Sequence, residues 1–405
     1  MNVYRRALTT AAVCAAALVL VPLHAQQGNG QGQGNGKLHT HPGRHVDNSY
    51  IVVLDQDPTP DGDEAQAAAD AEALIASRTK SGRLKHVYAS ALHGFSAELT
   101  EEDAIELSGD PRVAYVEEDQ LMEIVTTQTG ATWGLDRIDQ AALPLNGNYT
   151  YTTTGSGVNA YIIDTGIRTS HTQFGGRASV AFDAVGDGRN GIDCNGHGTH
   201  VSGTVGGSTY GVAKAVRLFA VRVLNCSGSG TTSGVIAGVN WVTGHHASPA
   251  VANMSLGGGV STSLDSAVNN SINSGVTYAI AAGNSNTNAS NSSPARVSAA
   301  ITVGSSTSSD ARSSFSNFGS VVDIFAPGSS ILSSWFSSDT ATATLSGTSM
   351  ATPHVTGVAA RYLQANPAAS PATVRNAIVN AATLNHLSGI PSGTANRLLF
   401  WSSSR

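Results

Sequence analysis

The stretch Val158-Asn159-Ala160-Tyr161-Ile162-Ile163-Asp164-Thr165-Gly166 decides the fold. Apart from Asn159, every residue from Val158 to Ile163 is apolar. Such a run is too continuous for a strand with one wet face, and its short length between turn signals favours a strand over a helix. It predicts a strand buried on both faces, as in a parallel sheet. The run ends in an acid followed by glycine, at the strand end where open α/β sheets place their ligands. Working outward, Arg217 to Val223, Ala250 to Ser255, Thr277 to Ala282 and Ala300 to Val303 repeat the pattern, with longer helical stretches between them. Right-handed crossovers would bring the loops after these strands to one face. Residues 126–405 therefore predict an α/β domain with a mostly parallel, twisted sheet flanked by helices.

The chain before this domain reads differently. Tyr50 to Leu54, Leu84 to Tyr88, Gly94 to Leu99 and Val113 to Glu117 predict strands. Glu64 to Ser77 predicts a helix, and Thr100 with Asp103 caps another through Leu107. The order β-α-β-β-α-β within about 75 residues predicts a small α+β, ferredoxin-like domain over 50–125. Residues 26–49, rich in Gly, Gln and Asn, predict a flexible linker. Residues 1–25 have the form of a secretory signal: Arg5 and Arg6, an apolar run from Ala7 to Val21, and Ala25 for cleavage. That run of about 15 residues is short of the ~20 that a membrane span needs. A secreted, soluble protein is expected.

Charge divides the chain at the same place. Of 405 residues only 12% are charged, against 40% apolar and 44 glycines, which excludes a coiled coil, a basic nucleic-acid binder and a charged disordered chain. The net charge of −6 hides 18 acids and 7 bases in residues 26–125, set against 10 acids and 13 bases in 126–405. Attraction between the two pieces is expected. Cys14 lies within the signal, so Cys194 and Cys226 remain as a pair in an oxidising compartment and are expected to form a disulfide.

Three segments carry the chemistry. Asp164 ends a buried strand, Asn195-Gly196-His197-Gly198-Thr199-His200 opens a helix, and Gly347-Thr348-Ser349-Met350-Ala351-Thr352-Pro353-His354 puts a serine at the start of another through Leu363. Pro353 is expected in that helix's first turn. A serine hydroxyl is a poor nucleophile near neutral pH unless a base lies within reach and a third group fixes that base's tautomer. Singly, a strand-end Asp is a turn former, a helical His a packed residue and a helix-start Ser an N-cap. Together, in glycine-flanked turns, they point to nucleophilic catalysis. An esterase would need a G-x-S-x-G elbow, and Gly347 to Ala351 ends in alanine. Gly186-Asp187-Gly188-Arg189-Asn190-Gly191 matches a dinucleotide fingerprint but neither follows a strand nor opens a helix, and predicts a loop. His197 and His200 lack the H-E-x-x-H pattern of a zinc site, and His200 and His354 are expected to be packed helical residues.

The motifs Asp164-Thr165-Gly166, His197-Gly198-Thr199-His200 and Gly347-Thr348-Ser349-Met350-Ala351, in that order, resemble those of the subtilisin-like serine peptidases. Trp133-Gly134-Leu135-Asp136-Arg137-Ile138 and Asp193-Cys194-Asn195-Gly196-His197 resemble the proteinase K-like branch and its aqualysin-type members. The likeness spans 126–405, and 50–125 resembles the inhibitory propeptide of these enzymes. It implies a secreted, self-processing endopeptidase with Ser349 as nucleophile, His197 as base and acid, Asp164 as orienting carboxylate and Asn284 as oxyanion donor. It implies an extended substrate lying between Gly228-Ser229-Gly230 and Ser255-Leu256-Gly257. The pocket walls Ser255 to Gly258 and Ala281 to Asn284 carry no charge, which favours an apolar or aromatic P1 residue. Structural Ca²⁺ is implied at one or two sites: Ser298, Ala300 and Asp323, and then Asp136, Asp139, Gln140, Asn146 and Asn148. Asp183, Asp187 and Asp193 cluster in a Gly-rich loop without being assigned an ion. Ser290 and Val321 stand where aqualysin-type relatives have a second disulfide. Leu121 to Val125 is expected to occupy the groove like a product, with cleavage near Val125–Thr126. The partners implied are protein and peptide substrates and the chain's own propeptide, with no nucleic acid, no membrane and a monomeric enzyme.

Overall fold

The computed structural model describes residues 37–41, 45–55, 63–120 and 125–402, so the signal segment and residues 121–124 of the expected product-like tail lie outside it. The chain divides after Leu121 into two compact units.

The first unit comprises β1 (Leu38–His39), β2 (His45–Leu54), α1 (Glu64–Arg78), β3 (Arg83–Tyr88), β4 (Gly94–Glu98), α2 (Glu101–Ser108) and β5 (Val113–Gln120). Its sheet order is β1-β5-β2-β4-β3, antiparallel except for β1 on β5. Val52, Phe95, Ala97, Val113 and Val116 meet Leu74, Ile75, Ala104 and Leu107 of the helices in one core. Asp63 caps α1 through the amides of Ala65 and Gln66, and Thr100 caps α2 through that of Asp103. Ordered structure begins earlier than expected: β1 and the first five residues of β2 fall inside the segment read as linker. Their polar sequence carries no strand pattern; β5, extending to Gln120, supplies backbone partners such as Gln120 opposite His45.

The second unit contains β6 (Thr126–Thr129), α3 (Trp133–Ile138), β7 (Asn148–Tyr151), β8 (Asn159–Asp164), β9 (Ala178–Asp183), α4 (His197–Gly206), β10 (Arg217–Arg222), α5 (Thr232–His245) and β11 (Ala250–Met254). It continues with α6 (Thr262–Asn273), β12 (Thr277–Ala281), β13 (Ile301–Ser306), β14 (Ile324–Pro327), β15 (Ile331–Ser334), β16 (Thr342–Leu345), α7 (Thr348–Ala365), α8 (Pro371–Ala381), β17 (Thr383–Leu384) and β18 (Arg397–Leu398). The main sheet runs β17-β18-β14-β13-β12-β11-β8-β10-β9, parallel except at β17–β18. All six residues of β8 are buried. Ala160 and Ile162 face a core with Val201 and Val205 of α4 and Val355 and Val358 of α7. Tyr161 and Ile163 face the opposite core, with Val239 and Val242 of α5 and Val268 and Ile272 of α6. A strand covered on both faces explains the unbroken apolar run. β8 lies between β10 and β11, where the direction of winding reverses, so its carboxyl end opens at the switch point.

All ten acids of residues 126–405 are aspartates, and each is engaged. Arginines hold Asp183 and Asp187 (both Arg222), Asp265 (Arg296), Asp310 (Arg137), Asp323 (Arg375) and Asp339 (Arg168). Asp164 pairs with His197, and Asp136, Asp139 and Asp193 accept from backbone amides. No helix among the described residues is long and apolar enough to cross a membrane.

Candidate active site

Asp164 is fully buried where β8 ends, and its Oδ1 accepts from the amide of Thr165 at 2.7 Å. The same oxygen lies 2.7 Å from Nδ1 of His197, the first residue of α4. Gly196 precedes that histidine with a φ of 110°, and a Cβ there would lie 2.5 Å from the Trp335 ring. Glycine is therefore required for both conformation and space. Burial opposes charging of the imidazole, but the Asp164 charge, its hydrogen bond and the Asp193 charge together raise the His197 pKa above the ordinary 6.5.

Asp193 is the hub of this corner. Its Oδ1 accepts from Thr165 Oγ1, Asn195 N and Gly196 N, each at 2.9 Å. Its Oδ2 accepts from Thr199 N at 2.9 Å and Thr199 Oγ1 at 2.6 Å. One carboxylate thus locks the turn after Asp164 to the start of the His197 helix. Nearby, Cys194 and Cys226 form the expected disulfide. Arg222, with no exposed side-chain surface, donates to Asp187 at 2.6 and 2.7 Å and to Asp183 at 3.0 Å. The Gly186 to Gly191 motif is thus a loop held by a guanidinium.

Ser349 occupies the second position of α7, after Gly347 and Thr348. Its amide belongs to the first turn, whose N–H groups lack intrahelical acceptors, and the helix dipole favours negative charge there. Asn284 Oδ1 accepts from Thr348 N at 2.8 Å and Thr348 Oγ1 at 2.9 Å, which fixes the amide so that Nδ2 is its remaining donor group. Pro353 falls in the second turn, not the first. Lacking an N–H, it leaves the Ser349 carbonyl without its helical donor. Ser255 Oγ donates to that carbonyl at 2.8 Å, and is itself held by Asn253 Nδ2 at 2.9 Å, while Thr356 Oγ1 donates to Asn253 Oδ1 at 2.9 Å. The Ser349 hydroxyl donates to the Ser255 carbonyl at 3.2 Å rather than bonding the His197 ring.

Two cavities open here. A groove of about 400 Å³ is lined by His197, by Gly228, Ser229 and Gly230 on one side, and by Ser255, Leu256 and Gly257 on the other. A neighbouring cavity of about 290 Å³ is lined by Leu256 to Gly258, Ala281 to Asn284, Thr348 and Ser349, and no charged residue lines it. Both sequence-derived edges thus share one groove with the imidazole. Thr165, Asp193, Thr348 and Asn253 were missed as site residues. Each is placed by at least one contact distant in sequence; the glycine-flanked turns offered a signal for Thr165, Asp193 and Thr348, and Asn253, inside β11, offered none. His200 and His354 are buried, bonded to backbone carbonyls, with pKa values lowered to about 4 by burial.

The two calcium sets differ. In the N-terminal set, Asp136 accepts from the amides of Asn146 and Gly147, Asp139 Oδ2 from that of Thr150, and Asn146 Oδ1 from that of Asn148. Asp139 Oδ1 and Gln140 Oε1 are buried without a hydrogen-bond partner. Burial, opposed by the Thr150 amide and assisted by Asp136, raises the Asp139 pKa to about 6. Orphaned hard oxygens beside two carboxylates fit Ca²⁺. In the other set, the Arg375 guanidinium takes the Ala300 carbonyl and Asp323 Oδ1, so the oxygens are already spoken for.

Comparison with known proteins accords with this geometry. Residues 155–397 match the subtilase family and residues 49–125 match peptidase inhibitor I9. The chain is 53% identical over 330 residues to the "Extracellular serine proteinase" of Thermus sp. (strain Rt41A), covering 82% of this chain and 80% of that protein. It is 54% identical over 324 residues to "Alkaline serine exoprotease A" of Vibrio alginolyticus, covering 78% of this chain and 60% of that protein. A solved structure of a cold adapted subtilisin-like serine proteinase matches with 58% identity and a TM-score of 0.66, over 67% of this chain and 98% of that one. The chain belongs to the subtilase family: it is a subtilisin-like serine proteinase preceded by an I9 propeptide.

Proposed function

We propose that the chain is a secreted endopeptidase, made as a self-processing zymogen, in which Ser349, His197 and Asp164 act as the triad. The observation that carries this is the 2.7 Å contact of His197 Nδ1 with Asp164, beside a groove whose walls continue into the cavity holding Ser349 and Asn284. A substrate strand between Gly228–Gly230 and Ser255–Gly257 would bond through its main chain, with little demand on side chains. The Ser349 hydroxyl turns from the Ser255 carbonyl, gives its proton to His197 Nε2 and attacks the scissile carbonyl. Asn284 Nδ2 and the Ser349 amide receive the oxyanion. His197 then passes the proton to the leaving amine, and water attacks the acyl-enzyme by the same route in reverse. The uncharged cavity suits apolar or aromatic P1 side chains. Asp136, Asp139, Gln140, Asn146 and Asn148 would hold a structural Ca²⁺, whose charge would compensate the buried carboxylates and tie α3 to β7.

The propeptide, net acidic while the peptidase unit is net basic, is an inhibitor and folding template removed by cleavage near Val125–Thr126. Labelling with a phosphonate serine-reactive probe, together with casein hydrolysis by Ser349→Ala, tests the enzyme. Unchanged hydrolysis by that variant would overturn the proposal. Added 26–125 segment should inhibit the processed enzyme less strongly at high salt, and N-terminal sequencing of secreted protein checks the cut.

A further inference from the structure

Ala300 stands immediately before β13 and Asp323 immediately before β14, so the carbonyl of one and the carboxylate of the other meet at one end of the sheet. The resemblance to proteinase K-like enzymes implies that an ion ties these two oxygens and that of Ser298. In this chain a side chain reaches the place instead. Arg375, in α8, donates from Nε to the Ala300 carbonyl at 3.1 Å and from Nη2 to Asp323 Oδ1 at 2.5 Å. The other carboxylate oxygen, Asp323 Oδ2, accepts from the Thr302 amide at 2.8 Å. The carboxylate is only 12% exposed, which limits the room for water ligands.

Ca²⁺ needs six to eight oxygens at about 2.3–2.6 Å. Here both carboxylate oxygens and the Ala300 carbonyl already accept from N–H donors, and a positive charge sits against Asp323. A planar guanidinium with a fixed fork of donors suits two acceptors held side by side. We propose that Arg375 replaces the metal at this corner: the guanidinium joins α8 to the starts of β13 and β14, so the corner holds without calcium and binds none. The proposal is independent of the peptidase reading, because its readouts are bound metal and melting temperature.

The experiment counts calcium per chain by atomic emission, after equilibration with millimolar Ca²⁺, on the processed protein blocked with a sulfonyl fluoride against autolysis. Wild type and Asp323→Asn should carry the same number of ions. Arg375→Thr, which frees the oxygens, should carry one more. Its melting temperature should rise between chelator and calcium by about 5 °C more than that of wild type, if calcium exceeds its Kd about a hundredfold. The proposal is overturned if wild type carries an ion that Asp323→Asn loses, or if Arg375→Thr gains none. Because the two variants perturb the corner from opposite partners, failure of one to fold leaves the other decisive.

Discussion

Replacing Asp193 by asparagine tests whether one buried carboxylate sets both the shape and the electrostatics of the site. The carboxylate accepts five hydrogen bonds while only 5% exposed. An amide can keep its oxygen toward Thr165, Asn195 and Gly196, but its NH₂ then faces Thr199. The Thr199 hydroxyl can rotate to accept; the Thr199 backbone N–H cannot. Leaving that N–H unsatisfied costs about 1–3 kcal/mol. Making the three remaining bonds neutral, when charge-assisted bonds are about twice as strong, adds roughly 1 kcal/mol or more. A total near 3 kcal/mol corresponds to a melting temperature lower by roughly 6–12 °C in a unit of this size. The second effect is electrostatic. Asp193 helps to raise the pKa of His197, and the ring must be neutral to accept the serine proton. Activity therefore rises as pH passes that pKa, and removing the charge moves the acidic limb of kcat/KM to lower pH. Melting of the blocked enzyme and a pH profile with a peptide p-nitroanilide read the two effects separately. Wild-type melting with an unmoved acidic limb would refute the reasoning, and a shifted limb would distinguish electrostatics from loss of fold alone.

Asn284→Ala should lower kcat on the order of 10²–10³-fold with little change in KM, because the donor acts on charge that develops only in the transition state; the magnitude is that known for a subtilisin's own side-chain donor. A steady-state comparison in which KM rises and kcat is kept would contradict it. Removing the disulfide as Cys194→Ser with Cys226→Ser opens a loop with a sequence separation of 32 residues. The expected loss is about 3–4 kcal/mol in the chain-entropy model, read as urea unfolding of blocked enzyme. Pro353→Ala supplies an N–H that competes with Ser255 for the Ser349 carbonyl; a change of about one hydrogen bond predicts a kcat lower by up to about tenfold. Asp139→Asn should abolish the calcium-dependent part of the rise in melting temperature, and a variant still stabilised by calcium like wild type would disprove the N-terminal site.

How much could be read in advance depended on burial and on distance along the chain. β8, β10, β11 and β12 were legible because two covered faces write a continuous apolar run. β9 was not, since Ala178–Asp183 is an edge strand whose residues are all partly or fully exposed. Nor was β14, only four residues long and ending in proline. The early start of β2 was hidden for a related reason: His45 to Ser49 become strand through pairing and not through their own propensity. At the site, Asp164, His197 and Ser349 could be proposed because each sits in a short glycine-marked motif, and Asn284 through the family resemblance. Asp193 could not be recognised as a hub, since its role exists only once Thr165 and Thr199 converge on it. Arg375 shows the limit most clearly. The positions of Ala300 and Asp323 suggest an ion, and nothing in their neighbourhood announces the guanidinium that arrives from α8. Pro353 was placed a turn too early, and the error concealed the reason for Ser255: the helix needs an outside donor where its own is missing.

The ten aspartates of the peptidase unit, each clasped by a cation or by amides, have a consequence for behaviour in solution. With no glutamates and no unpaired acid in residues 126–405, this stretch meets water mainly through hydroxyls, amides and a thin scatter of arginines. Like-charge repulsion between copies is therefore weak, and dispersal rests on the hydration of neutral groups. Such a coat withstands moderate salt, which has few bare charges to screen, and yields to strongly hydrated anions such as sulfate, which compete for the same water.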